Sequence, residues 1–107
     1  MEPKESQALV QNGKAILIDV REEDELRASG YAEGAEWMPT SKVAEDHADW
    51  RAFKAKLPKD KKIILYCRSG ARSGRLAEFL SQEGYDTANM GGFSGWVAQN
   101  LPVKKLA

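Results

Sequence analysis

Ile63-Ile64-Leu65-Tyr66-Cys67-Arg68-Ser69-Gly70-Ala71-Arg72-Ser73-Gly74-Arg75-Leu76 begins as a strand and ends as a helix. The apolar run 63–66 has the length and β-branched content of a buried strand. Over residues 73–83 the period changes to that of a helix, with Leu76, Ala77, Phe79 and Leu80 on one face and Gly84 as its stop. The loop between them opens with the only cysteine of the chain. A strand that feeds a helix through a short loop puts the loop's N–H groups at the positive end of that helix. Arg68, Arg72 and Arg75 add cationic charge. These effects favour thiolate over thiol, so Cys67 reads as a nucleophile. The plainer reading, an inert core thiol, suits a cysteine without such a loop.

Outward from this stretch, strand and helix signals alternate. Residues 15–20, Ala-Ile-Leu-Ile-Asp-Val, read as a strand buried on both faces. Residues 6–12 suggest a helix held by Ala8, Leu9 and Val10, and residues 22–29 a helix with an acidic start, stopped by Gly30. A short strand is expected over 34–38, ended by Pro39, then a short helix through Val43 capped by Thr40 or Ser41. Trp50, Phe53 and Leu57 mark a helix over 46–57, and Lys59-Asp60-Lys61-Lys62 a charged turn. Residues 87–90 read as the last strand and Gly91-Gly92 as a sharp turn. A final helix follows over 94–100 with Trp96 and Val97 buried, and then a solvated tail from Pro102. The alternation implies an α/β fold with a mostly parallel sheet, one domain over residues 1–107. Ligands of such sheets sit beyond the carboxyl ends of the strands. Cys67 and the Asp19-Val20-Arg21 segment both fall there.

Sixteen basic and sixteen acidic residues balance, which argues against nucleic acid and anionic membranes as partners. The arginine cluster is local and suits a small anion. One cysteine excludes an intramolecular disulfide and CxxC redox chemistry within the chain. The start of the chain has no apolar signal region, and no apolar run approaches the roughly 20 residues of a membrane span. A cytoplasmic protein without cofactor or metal is expected; His47 reads as a surface residue with no second ligand type beside it.

Four segments together resemble the rhodanese (sulfurtransferase) domain: Asp19-Val20-Arg21-Glu22, Gly30-Tyr31-Ala32-Glu33-Gly34-Ala35, Cys67-Arg68-Ser69-Gly70-Ala71-Arg72-Ser73 and Gly91-Gly92-Phe93-Ser94-Gly95-Trp96. Their order and spacing match across nearly the whole chain. The resemblance implies a central five-stranded, mostly parallel sheet flanked by helices on both faces. It also implies a catalytic Cys67 that takes sulfane sulfur from thiosulfate or a similar donor and passes it, as a persulfide, to cyanide or a thiol. Carried over by position, the substrate- and anion-binding loop is Arg68, Ser69, Gly70, Ala71, Arg72 and Ser73. Many family members have His-Ile where this chain has Tyr31-Ala32. Related phosphatases and arsenate reductases carry Cys-x5-Arg; Cys67 to Arg72 is Cys-x4-Arg, the form of the sulfur-selective members.

The expected partners are small sulfur-containing anions, with a protein or low-molecular-weight thiol as possible acceptor. The alternative is a persulfide carrier that serves one protein partner and uses thiosulfate poorly. Arg72 reads as an anion receptor, since the helix dipole does not favour a cation at that end. Arg68 either lines the entrance or faces solvent. Arg75 reads as a partner of Glu78 or another acid, and Asp19 with Arg21 as an ion pair that orders the sheet edge, with Arg21 reaching Glu25 or another acid. Trp37, Trp50 and Trp96 read as core or half-buried aromatics.

Overall fold

Strands β1 (Ala15–Asp19) and β4 (Lys62–Cys67) run parallel at the centre of a sheet, paired from Ala15 with Lys62 to Asp19 with Tyr66. The computed structural model, which describes residues 1–106, adds β3 (Glu36–Trp37) beside β1 and β5 (Asp86–Gly92) beside β4, both parallel. The order is therefore β3-β1-β4-β5, four strands among the described residues where the family resemblance implied five. The missing pairing lies elsewhere. Tyr31–Ala32 (β2) pairs antiparallel with Val103–Lys104 (β6), apart from the main sheet. The tail expected to be solvated thus exposes its side chains but engages its backbone. The Pro102 carbonyl accepts from the Trp96 indole (2.7 Å) and from Glu33 N–H (3.0 Å). At Gly30 (φ 77°) a Cβ would sit 2.6 Å from the Lys104 carbonyl oxygen, so this pairing needs glycine there.

Helices cover both faces, as expected. They are α1 (Pro3–Gln11), α2 (Glu23–Ser29), α3 (Thr40–Ala44), α4 (Ala48–Ala55), α5 (Ala71–Gln82) and α6 (Phe93–Ala98). The period of two along β4 divides its side chains. Ile63, Leu65 and Cys67 join Ile18, Val20, Trp50, Leu76 and Leu80 in one core. Ile64 and Tyr66 join Leu17, Ala32, Met90, Phe93 and Trp96 in the other. Near-continuous apolar runs in β1 and β4 follow from burial on both sides. None of these helices is long and apolar enough to cross a membrane.

Several local expectations are corrected by packing. Phe79 and Val97 are 43% and 48% exposed, and the Phe79 ring lies under the Lys54 ammonium of α4 (5.2 Å) instead of in the core. Thr40 and Ser41 do not cap α3. Pro39 occupies that position, and both hydroxyls donate to the Glu22 carboxylate (3.2 and 2.6 Å). Gly91-Gly92 is not a turn but the end of β5. Leu65 pairs with Asn89 and Tyr66 with Gly91, which leaves Met90 as the extra residue of a bulge. Trp96 and Trp50 are buried, while Trp37 is half-exposed and donates to the Arg21 carbonyl (2.7 Å). His47 is at the surface and accepts from Asp49 N–H (3.0 Å) at the start of α4.

At the carboxyl edge, Asp19 and Arg21 form the structural pair that the sequence suggested. The two residues are 0% and 3% exposed and 2.8 Å apart. The guanidinium also donates to the Ser29 hydroxyl (2.8 Å) and the Gly30 carbonyl (2.7 Å), and it lies 4.3 Å from the Phe93 ring centre. One side chain thereby ties the end of β1 to the end of α2 and the start of α6. Removal of Asp19 leaves a buried, unpaired cation, which costs about 3–5 kcal/mol. Asp19→Ala should therefore lower the melting temperature by more than ~10 °C; a smaller drop by calorimetry removes this pair from its central place.

Candidate active site

The chain leaves β4 at Cys67 and enters α5 at Ala71. Only a sharp reversal fits between them, and Gly70 supplies it in a left-handed conformation (φ 96°). The reversal aims the Gly70 N–H at the Cys67 sulfur, 3.0 Å away. Ser73, wholly buried one turn into α5, brings its hydroxyl to 3.4 Å from the same sulfur. Burial pushes the thiol pKa up, but the Ser73 hydroxyl and the N–H groups of Ser73, Gly70 and Ser69 pull it down further, to about 7.

Other members of the expected loop are placed differently. Ala71 N–H is directed to the Ser69 hydroxyl (3.4 Å), not to the sulfur. Arg68 is exposed and lines a groove of about 550 Å³ with Arg21, Glu25, Ser29 and Phe93. Arg72 is not a free anion receptor here. Its guanidinium makes a bidentate pair with Glu25 at 2.7 and 2.9 Å. Arg21, for which Glu25 was one expected partner, pairs with Asp19 instead. Glu25 is fixed from its own side as well, since it accepts from Glu22 N–H (3.0 Å) in a capping box at the start of α2. The Arg72 guanidinium holds the Glu25 carboxyl down at about 2, against a smaller opposing push from burial. Arg75 is exposed and has no ion-pair partner among the described residues, so the expected pairing with Glu78 is absent. It lines a larger groove of about 770 Å³ with Arg72, Val43, Trp50, Leu76 and Phe79, which does not include the sulfur.

Asn89 on β5 belongs to the site and was missed from sequence. Its amide nitrogen donates to the Gly70 carbonyl (2.9 Å), and its oxygen accepts from Ser73 (2.8 Å) and Gly91 N–H (3.0 Å). The only signal was an asparagine set between Ala88 and Met90 in the expected last strand. Glycines make this approach possible. A Cβ on Gly92 would sit 2.5 Å from the Arg68 carbonyl, and one on Gly70 3.1 Å from Gly91 Cα. Among the described residues, no three His, Cys, Asp or Glu side chains cluster as metal ligands.

Residues 2–99 match the family model of the rhodanese-like domain. The chain belongs to that family. A protein named sulfurtransferase from Allochromatium vinosum is 32% identical over 100 residues, covering 92% of this chain and 86% of that one. Thiosulfate sulfurtransferase GlpE from Actinobacillus succinogenes is 30% identical over 104 residues, covering 95% and 86%. The polysulfide-sulfur transferase homodimer from Wolinella succinogenes superimposes with a TM-score of 0.79 at 27% identity, covering all of this chain and 78% of that one.

In this rhodanese-like domain the Glu25–Arg72 pair ties α2 to the start of α5. Its effect on stability has a defined sign. With the Glu25 carboxyl at about 2, below its ordinary 4.5, the contribution is whole above pH 4.5 and fades as pH falls toward 2. That shift corresponds to roughly 3 kcal/mol as an upper limit, reduced by solvent at this partly exposed rim. Melting temperatures recorded from pH 5 down to 2 should fall less steeply for Glu25→Gln than for the wild type. Parallel curves refute the assignment.

Proposed function

We propose that this chain is a sulfurtransferase that moves sulfane sulfur through a persulfide on Cys67. One observation carries the reading. The only thiol lies at the carboxyl end of a central strand, with N–H and O–H donors directed at its sulfur and a pKa brought to about 7. A thiolate populated near neutral pH needs no general base. The thiolate attacks the outer sulfur of a donor such as thiosulfate. A sulfur–sulfur bond forms on Cys67, that of thiosulfate breaks, and sulfite leaves with the electron pair. An acceptor, cyanide or a thiolate, then takes the outer sulfur and returns the Cys67 thiolate. The persulfide bears its charge on the outer sulfur, where loop N–H groups at a helix start are favourable neighbours. Support for sulfur transfer as the reaction class comes from the names of the relatives and from the Cys-x4-Arg loop.

A second reading has its own support. Both terminal nitrogens of Arg72 donate to Glu25, so a thiosulfate dianion meets a guanidinium whose charge is already offset and only its remaining N–H donors. Cys67 itself is 0% exposed, so a donor reaches it only when loop side chains shift. The first fact favours a persulfide carrier loaded by a protein or a low-molecular-weight persulfide over efficient use of free thiosulfate, and the second applies to every donor. Under either reading the partners are sulfur compounds.

Intact-mass measurement separates the two. Wild-type protein should gain ~32 Da, one sulfur, from a competent donor, and Cys67→Ala should gain nothing, since the intermediate is covalent. Gain from thiosulfate with thiocyanate formation supports the enzyme. Gain only from glutathione persulfide or a protein donor supports the carrier, and no gain from any donor refutes both. The rate of gain should rise about tenfold per pH unit below 7 and level off above it, as the thiolate fraction does. A flat profile from pH 5 to 9 contradicts the thiolate as the attacking species.

A further inference from the structure

The Ser73 hydroxyl lies within reach of two acceptors, the Cys67 sulfur at 3.4 Å and the Asn89 oxygen at 2.8 Å. A hydroxyl carries one hydrogen and cannot donate to both. The orientation of the Asn89 amide is set by the backbone around it. The Gly91 N–H must meet an oxygen, and the Gly70 carbonyl must meet a nitrogen. The Asn89 oxygen therefore faces Ser73 as an acceptor. When Cys67 is a thiol, its S–H donates to the Ser73 oxygen and the hydroxyl donates to Asn89. When Cys67 is a thiolate, the sulfur has no hydrogen to give, and the hydroxyl turns to it. Asn89 then keeps the Gly91 N–H.

We propose that Asn89 is a positioning residue for Cys67, competing with the sulfur for the single hydroxyl hydrogen of Ser73 while it tethers the Gly70 end of the loop to β5. The same tether holds the Gly70 N–H against the sulfur, so one amide governs two of the donors around it. The surroundings are shaped for this side chain. A Cβ on Gly74 would press on the Asn89 nitrogen at 3.0 Å, and one on Gly70 would lie 3.7 Å from it. The inference deepens the sulfur-transfer reading and takes its purpose from it, but its measurement does not depend on sulfur transfer.

The charged neighbours of the thiol are few. Arg72 faces it from α5, and Glu25 of α2 stands behind Arg72. Asp19 and Arg21 beyond β1 are paired with each other, and Lys54 of α4 is paired with Glu83. Arg68 is exposed, the Asn89–Gly92 segment of β5 has no charged side chain, and the Met1 ammonium donates to the Asn89 main-chain carbonyl (2.9 Å).

The test is a double-mutant cycle on the ionisation of Cys67, read by ultraviolet thiolate absorbance with Cys67→Ala as the blank. The chain has one cysteine, so the difference signal is its own. Asn89→Asp keeps and strengthens the acceptor for the Ser73 hydroxyl and loses the donor to Gly70. It should raise the thiol pKa by about one unit or more, a tenfold loss of thiolate at a fixed pH below it. In a Ser73→Ala background no hydroxyl hydrogen is contested, and the shift should be less than half as large. Equal shifts in the two backgrounds mean that the added charge and the lost Gly70 contact act without competition for the hydroxyl hydrogen, and they overturn the proposal; so does no shift. If Asn89→Asp fails to fold, Asn89→Ala takes its place in the cycle: with the competing acceptor gone, the pKa change it causes should lie about half a unit or more lower in the wild-type background than in the Ser73→Ala background, and equal changes overturn the proposal. Sulfur loading of the wild type is followed separately by mass. Its absence defeats the sulfur-transfer reading, while the cycle still decides the role of Asn89.

Discussion

The left-handed turn at Gly70 is the constraint on which the sulfur's surroundings depend. The chain must end a strand, reverse and start a helix within three residues, and only a residue without a Cβ does so easily. The turn also needs room, because the loop lies against the glycine end of β5. Given that geometry, the Ser73 hydroxyl and backbone N–H groups converge on Cys67, and together they outweigh the burial that would otherwise keep the thiol protonated. The low pKa is thus a product of hydrogen-bond direction more than of nearby cations. Arg72 is neutralised by Glu25, and Arg68 and Arg75 are exposed.

A second set of contacts holds the edge of the sheet on which the turn is built. Asp19 fixes Arg21, and Arg21 fixes the end of α2 and the start of α6. Placed in this way, α2 presents Glu25 to Arg72, and Arg72 stands at the start of α5 beside the loop. The site is therefore supported from β1 through α2 on one side and from β5 through Asn89 on the other. A buried ion pair adds little net stability over apolar residues of the same volume, but loss of one partner strands the other charge. Here the Asp19–Arg21 pair sits where geometry matters, at the carboxyl ends of the strands.

Much of this was legible in the chain because it is local. The apolar runs of β1 and β4, the change of period at α5 and the loop that opens with Cys67 each lie within a short window. Their meaning does not depend on what packs against them. The other features are not local. β6 is two residues long with exposed side chains, so no burial pattern marks it, and its backbone pairing does not depend on side-chain type. Phe79 shares a helical stripe with Leu76 and Leu80, yet it stays exposed, with the Lys54 ammonium rather than an apolar group over its ring. Gly91-Gly92 has the composition of a turn, and the approach of the Arg68 carbonyl makes it the end of a strand.

By itself the sequence determined the α/β architecture, the parallel pairing of its central strands and the position of one thiol at a strand-to-helix turn. Periodicity and turn chemistry encode these within a few residues. Only the tertiary structure decided the partners of the charged and polar groups. Arg72 meets Glu25 across 47 positions, and Ser73 meets Asn89 across 16. The physical reason is that several arginines and several acids were equally suitable by chemistry. The choice among them followed from which helix packed against which strand.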